Sequence, residues 1–179
     1  LNSGLNIQIF GNENFLSQLI IILLSLLLLN NFNKLYLGDS GSYLIGFLFA
    51  TILLRIYLSN QYISPFFIIL LLWYPCFENL FSIIRKYRYK KSPIKPDTNH
   101  LHQLLFYYLN KKIKFKNKLI CNNFSSVVIN FYNLAVFLLG FNQLTKTNVQ
   151  VVLILFNILI YLTIYSKLFK FRYKDFIKN

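Results

Sequence analysis

The segment LGDSGS, at positions 37–42, places one acidic residue, Asp39, between two glycines where two apolar runs meet. A carboxylate beside hydrocarbon is costly unless it is paired, faces water or holds a cation. Gly38 and Gly41 allow backbone angles closed to other residues and let amide N–H groups approach a phosphate closely. The segment therefore predicts an anion site in which Asp39 holds a divalent ion. The alternative is a tight glycine turn capped by an Asp or Ser side chain.

A second polar segment, SPIKPDTNHLHQ at positions 92–103, carries His100 and His102 two residues apart. Its two prolines favour an extended loop, in which residues two apart share one face. Imidazoles donate hydrogen bonds to phosphate oxygens, accept protons or bind metals. Two histidines without a third ligand make a weak zinc site, so contact with a phosphate or leaving group is the favoured interpretation. The alternative is an interfacial loop whose polar residues are only solvated.

A third group consists of Glu78, Arg85 and Arg88. Glu78 lies about 10 Å deeper along a helix axis than Arg85. It needs a partner at that depth, such as Asn79 or a base from a neighbouring span, or it will tend to be protonated. Arg85 and Arg88 share one helical face, where their guanidinium groups suit a diphosphate. The alternative for the basic run 85–91 is a positively charged membrane anchor.

The composition identifies the elements that must position these side chains. With 56% hydrophobic and 18% aromatic residues, the chain carries more apolar surface than a soluble core of 179 residues could bury. It predicts an all-α, polytopic membrane protein, a single membrane domain over 1–179. Its five transmembrane helices are expected at about 15–32, 43–58, 63–84, 125–144 and 149–169. The net charge of +14 lies between apolar runs, where lipid headgroups are, so we expect no nucleic-acid partner.

The distribution of basic residues predicts the orientation. If the spans alternate, 17 of the 19 lysines and arginines fall on one side, and only Arg55 and Lys146 fall on the other. The positive-inside rule then places the loops 33–42 and 85–124 and the tail 170–179 in the cytoplasm. All three polar groups are therefore expected at the cytoplasmic face.

In the order LGDSGS, P-x-x-E with arginines, and SPxxPDxxHLH, these groups resemble the polyprenyl-phosphate N-acetylhexosamine-1-phosphate transferases, glycosyltransferase family 4. The last string is most similar to the undecaprenyl-phosphate N-acetylglucosamine-1-phosphate transferase branch. The resemblance covers about 34–105. It implies transfer of a sugar 1-phosphate from a UDP-N-acetylhexosamine to polyprenyl phosphate, with release of UMP and a requirement for Mg²⁺ or Mn²⁺. It also implies a multi-pass enzyme of the bacterial plasma (inner) membrane that begins lipopolysaccharide or related glycan synthesis.

The resemblance assigns roles position by position. Asp39 would be a metal ligand or lie close to the metal, and His100 and His102 would contact the nucleotide-sugar diphosphate. These three form the expected catalytic set. The expected substrate-binding set takes its members from the same three groups and comprises Lys34, Gly38, Gly41, Arg85, Arg88 and Asp97.

The chain departs from the family at three places. The family commonly has aspartate where Glu78 stands and a third histidine where Gln103 stands, and glutamine cannot shuttle a proton near neutral pH. The paired aspartates of the family have no counterpart here, and the chain contains no methionine. We therefore expect a C-terminal part of a fold of about ten helices, inactive alone. The alternatives are a non-catalytic membrane subunit and a transporter, and a homodimer is left open.

Overall fold

The computed structural model describes residues 13–90, 92, 97–115 and 117–174. Within these ranges the regular elements are α-helices, which confirms the predicted all-α class. They are α1 (Glu13–Asn31), α2 (Gly38–Ser59), α3 (Pro65–Arg88), α4 (Leu101–Ile113), α5 (Lys118–Phe141) and α6 (Thr147–Arg172).

Four of these helices, α2, α3, α5 and α6, are long and apolar enough to cross a membrane. A shorter apolar helix, Phe15–Asn31, lies within α1. Each of the five predicted spans overlaps one of these helices. This arrangement is that of a polytopic membrane protein.

The predicted loop 85–124 contains more regular structure than expected. Helix α3 continues to Arg88, α5 begins at Lys118, and α4 occupies 13 residues between them. The basic residues at these helix ends made the segment resemble a loop, although long cationic side chains can extend a helix beyond the apolar layer. Similarly, α2 begins at Gly38, inside the predicted loop 33–42, and α6 continues to Arg172. Residues 175–179 of the predicted tail lie outside the described residues.

Helix α4 is short and amphipathic. Leu101, Leu104 and Leu109 are buried along one face, and lysines occupy its last turn. Its first turn is closed by Gln103, whose side-chain oxygen accepts a hydrogen bond from the backbone N–H of His100 at 3.2 Å. Such a contact satisfies a donor that the helix itself leaves unpaired.

The described residues form two compact units, one up to Ile63 and one from Ser64 onward. The first contains α1 and α2, whose apolar side chains are mostly exposed. The second contains α3 to α6 around a core of large side chains. That core comprises Leu70, Trp73, Leu101, Leu104, Val136, Tyr161, Tyr165 and Leu168.

At one end of the second unit, polar groups join the turn between α5 and α6 to the helices. The Gln150 side-chain amide donates to the backbone oxygens of Gly140 and Gln143, both at 2.8 Å. A Cβ atom on Gly140 would lie only 2.5 Å from Leu70 Cδ2, so α5 approaches α3 closely at this glycine. Hydrogen bonds and close packing therefore both hold the helices of this unit against one another.

Candidate functional site

The centre of the second unit is the buried carboxylate of Glu78 on α3. Its Oε1 atom lies 3.0 Å from His100 Nδ1 and accepts the backbone N–H of Leu101 at 3.1 Å. Its Oε2 atom accepts the phenol O–H of Tyr161, on α6, at 2.7 Å. The expected partner Asn79 is instead exposed, because adjacent residues on a helix point in different directions. The carboxylate thus joins α3 and α6 to the start of α4.

The two histidines lie together at the N-terminal end of α4. His100 is extended and immediately precedes the helix, and His102 lies in its first turn, so the predicted extended loop ends between them. Their rings nevertheless stack, with centroids 5.8 Å apart and planes inclined by 15°. Although His102 is exposed, partial desolvation of its ring lowers its pKa, and the neighbouring His100 lowers it further against an opposing effect of Glu78. His102 therefore favours its neutral form.

Arg85 organises the segment that leads to the histidines. Its buried guanidinium forms an ion pair with Asp97 and donates to the Asn99 carbonyl at 3.0 Å. It also donates to the Tyr165 hydroxyl at 2.6 Å and to the Ser82 hydroxyl at 3.3 Å. Arg85 and Asp97, both expected to bind substrate, thus contact each other. Their contact with a substrate remains a prediction.

The Asp97 carboxyl has a pKa below its usual value. Burial alone would raise this pKa, but the hydrogen bond and the charge of Arg85 together outweigh burial. The Asn99 backbone N–H, which donates to Asp97 Oδ1 at 3.0 Å, lowers it further. Asp97 is therefore ionised near neutral pH and holds the turn before His100 in place.

The C-terminal end of α6 secures the same turn from the other side. Arg172 donates to the backbone oxygen of Thr98, and the Tyr173 hydroxyl donates to the Asn99 side chain at 2.9 Å. The loop that presents the histidines is thus attached to both α3 and α6.

A cavity of about 310 Å³ lies between α3 and α6 beside this network. Among the described residues, its cationic lining residues are Arg85, Arg88 and Lys170, and none of the lining residues is acidic. Arg88 and Lys170 are exposed. Most of the other lining side chains are aromatic, so the cavity combines a largely apolar wall with positive charge, which suits the phosphate of an amphiphilic ligand.

Asp39 lies in the first unit, in the first turn of α2, where its side chain is exposed. Gly38 has φ +65°, a backbone angle that favours glycine. No side chain makes a capping hydrogen bond at Leu37, which starts this helix, and the Ser42 hydroxyl donates back to the Gly38 carbonyl at 2.8 Å. Neither Asp39 nor a serine therefore caps the turn, which leaves the Asp39 carboxylate without a hydrogen-bond partner among the described residues.

The structure thus separates the predicted site residues into two sets. Glu78 and the predicted residues Arg85, Asp97, His100 and His102 form one hydrogen-bonded or stacked network in the second unit. Arg88 lies beside it in the cavity. Lys34, Gly38, Gly41 and Asp39 belong to the first unit. The assignment of both sets to one reaction remains a prediction.

Sequence reasoning missed Tyr161 and Tyr165, which contact Glu78 and Arg85 from α6. Their spacing of four residues places both hydroxyls on one face of a span, and this was the available signal. A polar side chain on such a face has to find a partner within the protein.

Within the described residues, no group of three or more His, Cys, Asp or Glu side chains could hold a metal ion. Mg²⁺ commonly uses only one or two carboxylates and completes its shell with water and substrate phosphates. A single exposed carboxylate such as Asp39 therefore fits a Mg²⁺ ligand of this kind.

No protein-family model matches the chain, and no solved structure matches it. It is similar to curated proteins named undecaprenyl-phosphate alpha-N-acetylglucosaminyl 1-phosphate transferase. The protein from Yersinia pestis is 36% identical over 85 residues, which cover 47% of this chain and 23% of that protein. The one from Thermotoga maritima is 33% identical over 93 residues, which cover 51% of this chain and 29% of that protein.

A decaprenyl-phosphate N-acetylglucosaminephosphotransferase from Mycolicibacterium smegmatis is 34% identical over 84 residues, covering 40% of this chain and 21% of that protein. The matched segments thus span between a fifth and a third of the lengths of these relatives. The resemblance drawn from the three motifs is confirmed, because about half of this chain is related in sequence to the polyprenyl-phosphate N-acetylglucosamine-1-phosphate transferases.

Proposed function

We propose that this protein transfers N-acetylhexosamine 1-phosphate from a UDP-sugar to a polyprenyl phosphate and releases UMP. The observation that carries this proposal is the similarity of about half the chain to transferases of that name. The network around His100 supports it, because it holds two imidazoles and two cationic side chains close to one membrane-spanning helix end. We propose UDP-N-acetylglucosamine and undecaprenyl phosphate as the substrates.

The reaction exchanges one phosphorus–oxygen bond for another. An oxygen of the lipid phosphate attacks the β-phosphorus of the UDP-sugar, and the bond from that phosphorus to the bridging oxygen breaks. The bridging oxygen leaves with UMP, and the sugar stays on the lipid as a diphosphate. Catalysis of this kind depends mainly on positioning and on neutralising charge.

The second unit supplies groups suited to both tasks. His100 and His102 lie at the N-terminal end of α4, where the helix dipole favours an anion. Arg88 and Lys170 add positive charge at the cavity. We assign the histidines to the diphosphate of the donor and the two cations to phosphate oxygens.

The first unit would supply a metal ligand. We assign the exposed Asp39 carboxylate to Mg²⁺ or Mn²⁺. When bound, the ion neutralises charge on the diphosphate. Gly38 leaves the backbone beside Asp39 open to a phosphate, since a Cβ atom there would meet nothing within 4 Å. At Gly41 the side chain of Leu37 occupies the corresponding space.

The membrane spans fit a lipid acceptor. A polyprenyl tail remains in the bilayer beside the exposed apolar side chains, while its phosphate meets the water-soluble donor at the cytoplasmic ends of the helices. We therefore place the reaction at the cytoplasmic face of the bacterial inner membrane.

The test is UMP release by the protein expressed from its complete reading frame and purified in detergent. We expect UMP only when UDP-N-acetylglucosamine, undecaprenyl phosphate and Mg²⁺ are all present, and loss of the activity on chelation. Substitution of Lys146, one of the two basic residues predicted on the opposite side, by Ala is the matched control and should leave the rate unchanged. UMP release without the lipid, or none with any UDP-N-acetylhexosamine, would contradict the proposal.

A further inference from the structure

We infer that Glu78 is a positioning residue for His100, holding the imidazole in the tautomer that carries its proton on Nδ1 and leaves Nε2 as the acceptor. The use of Nε2 in catalysis rests on the proposed function. The assignment of the tautomer is independent of that function, because it is argued from contacts within the protein.

The position of the proton is inferred from the hydrogen bonds around Glu78. The Leu101 backbone N–H can only donate, so Glu78 Oε1 accepts at that contact. The same oxygen lies 3.0 Å from His100 Nδ1. Tyr161 donates to the other oxygen. A carboxylate that accepts at all three contacts leaves the shared proton on Nδ1.

The carboxylate is also fixed in space. Tyr161 holds it from α6, and the Leu101 N–H ties it to the residue directly after His100. The ring and its orienting acid are therefore attached at the same point of the chain. A shift of the carboxylate would break both contacts to Oε1.

The imidazole reaches outward from this buried support. The Glu78 side chain is 9% exposed, whereas the His100 side chain is 25% exposed. The ring edge that bears Nε2 is opposite the one held by Glu78. An imidazole held through one nitrogen is oriented for proton exchange with a ligand at the other.

A purely structural role for Glu78 makes a different prediction. If Glu78 only anchored α4, any side chain that kept the hydrogen bonds would preserve activity. Glu78→Gln tests this, since its amide oxygen can accept from Leu101 and His100 while its NH₂ group faces the Tyr161 oxygen. Glu78→Met instead removes the acceptor at similar volume.

The direct test is nitrogen NMR of the full chain with labelled histidine, at about pH 8.5, two units above the reference pKa of imidazole. The variants His100→Asn and His102→Asn assign the two rings, because each removes the signals of one of them. We expect His100 Nδ1 to be protonated and Nε2 to be bare in the unsubstituted protein. A His100 ring protonated on Nε2 would overturn the inference without any variant being made.

The variants add a kinetic test. Glu78→Gln should keep the tautomer but reduce kcat on the order of 10- to 100-fold, because a neutral amide cannot stabilise the positive charge that forms on the ring when Nε2 takes up a proton. The KM for the donor should stay within about twofold. Glu78→Met should lose the tautomer, and Glu78→Asp should recover part of the rate. Asn79→Ala, beside Glu78 but exposed, is the matched control. Unchanged kcat in Glu78→Gln would leave only the structural role and overturn the inference.

Each of the two proposals can be refuted without the other. If the NMR shows the expected tautomer but no UDP-sugar is turned over, the proposed function fails and the orientation of His100 stands. If transfer occurs with His100 protonated on Nε2, the proposed function stands and the positioning role fails. If Glu78→Met does not fold, the unsubstituted protein and Glu78→Gln still decide the question.

Discussion

Two carboxylates in this chain lie next to apolar helices, and their surroundings are opposite. Asp39 is exposed at the glycine-rich start of α2 and has no hydrogen-bond partner among the described residues. Glu78 is buried on α3 and accepts hydrogen bonds from two other segments of the chain. A carboxylate with free oxygens can bind a cation, whereas one already satisfied inside the protein can only orient its neighbours. This difference is why we propose a metal-binding role for Asp39 and a positioning role for Glu78.

The largest expected effect is at Asp39. Asp39→Asn should lower metal-dependent UMP release on the order of 100-fold, because it removes the charge proposed to hold the ion. Thermal stability should not change, since the side chain has no described partner to lose. Activity with varied Mg²⁺ and a melting curve measure the two effects, with the neighbouring Ser40→Ala as the control. If Asp39→Asn instead lowers the melting temperature and leaves turnover normal, Asp39 has the structural role and not the metal-binding role.

At Glu78 we expect stability to respond. Tyr161→Phe removes the donor to Oε2 of a buried carboxylate that Tyr74 also contacts, which should cost about 2 kcal/mol of unfolding free energy. Tyr87→Phe, at a side chain that is 82% exposed, is the matched control and should have no effect. Denaturation in detergent compares the two variants. Equal unfolding free energies of Tyr161→Phe and Tyr87→Phe would show that the contact between Glu78 and α6 does not stabilise the fold.

Two glycines extend the comparison to the packing of the units. Gly140→Ala in α5 would bring a Cβ atom within 2.5 Å of Leu70, so we expect destabilisation of at least about 1 kcal/mol. Gly46→Ala in α2 meets no atom within 4 Å and should be neutral or stabilising by about 0.5 kcal/mol, because alanine favours a helix. Equal changes in unfolding free energy for the two variants, in the same denaturation assay, would contradict the closer packing at Gly140.

The smallest effect concerns pH. Since the folded pKa of Asp97 lies below its usual value, the carboxylate stabilises the fold above that usual value. This contribution is lost as the pH falls through the lower, folded pKa. Asp97→Asn should therefore reduce stability by about 1 kcal/mol near neutral pH. The difference in unfolding free energy between the variant and the unsubstituted protein should disappear in acid, below the usual aspartate pKa. If this difference persists in acid, the ion pair with Arg85 is not its cause.

The sequence could predict the membrane helices because each depends on a local run of apolar residues. It could not predict α4, whose apolar residues are spaced along one face among lysines, in a segment too short and too charged to resemble a span. The adjacency of His100 and His102 was also local, and their rings do stack. Features set by neighbouring residues were therefore accessible before the fold was known.

The partners of Glu78 were not accessible in that way. His100 is 22 residues away in the chain and Tyr161 is 83 away, and both contacts exist only because α4 and α6 return to α3. The sequence indicated that a buried acid needs a partner, but not which residue supplies it. Likewise, the arginine expected to bind a diphosphate holds Asp97, a contact made across the turn that precedes α4.

The most direct test of the proposed reaction follows the β-phosphorus of UDP-N-acetylglucosamine. With this atom labelled, the purified protein, undecaprenyl phosphate and Mg²⁺ should yield labelled lipid and unlabelled UMP in equal amounts, and the Asp39→Asn variant should yield far less of both. Label that remains on the released nucleotide as UDP, with only the sugar on the lipid, would contradict transfer of a sugar 1-phosphate.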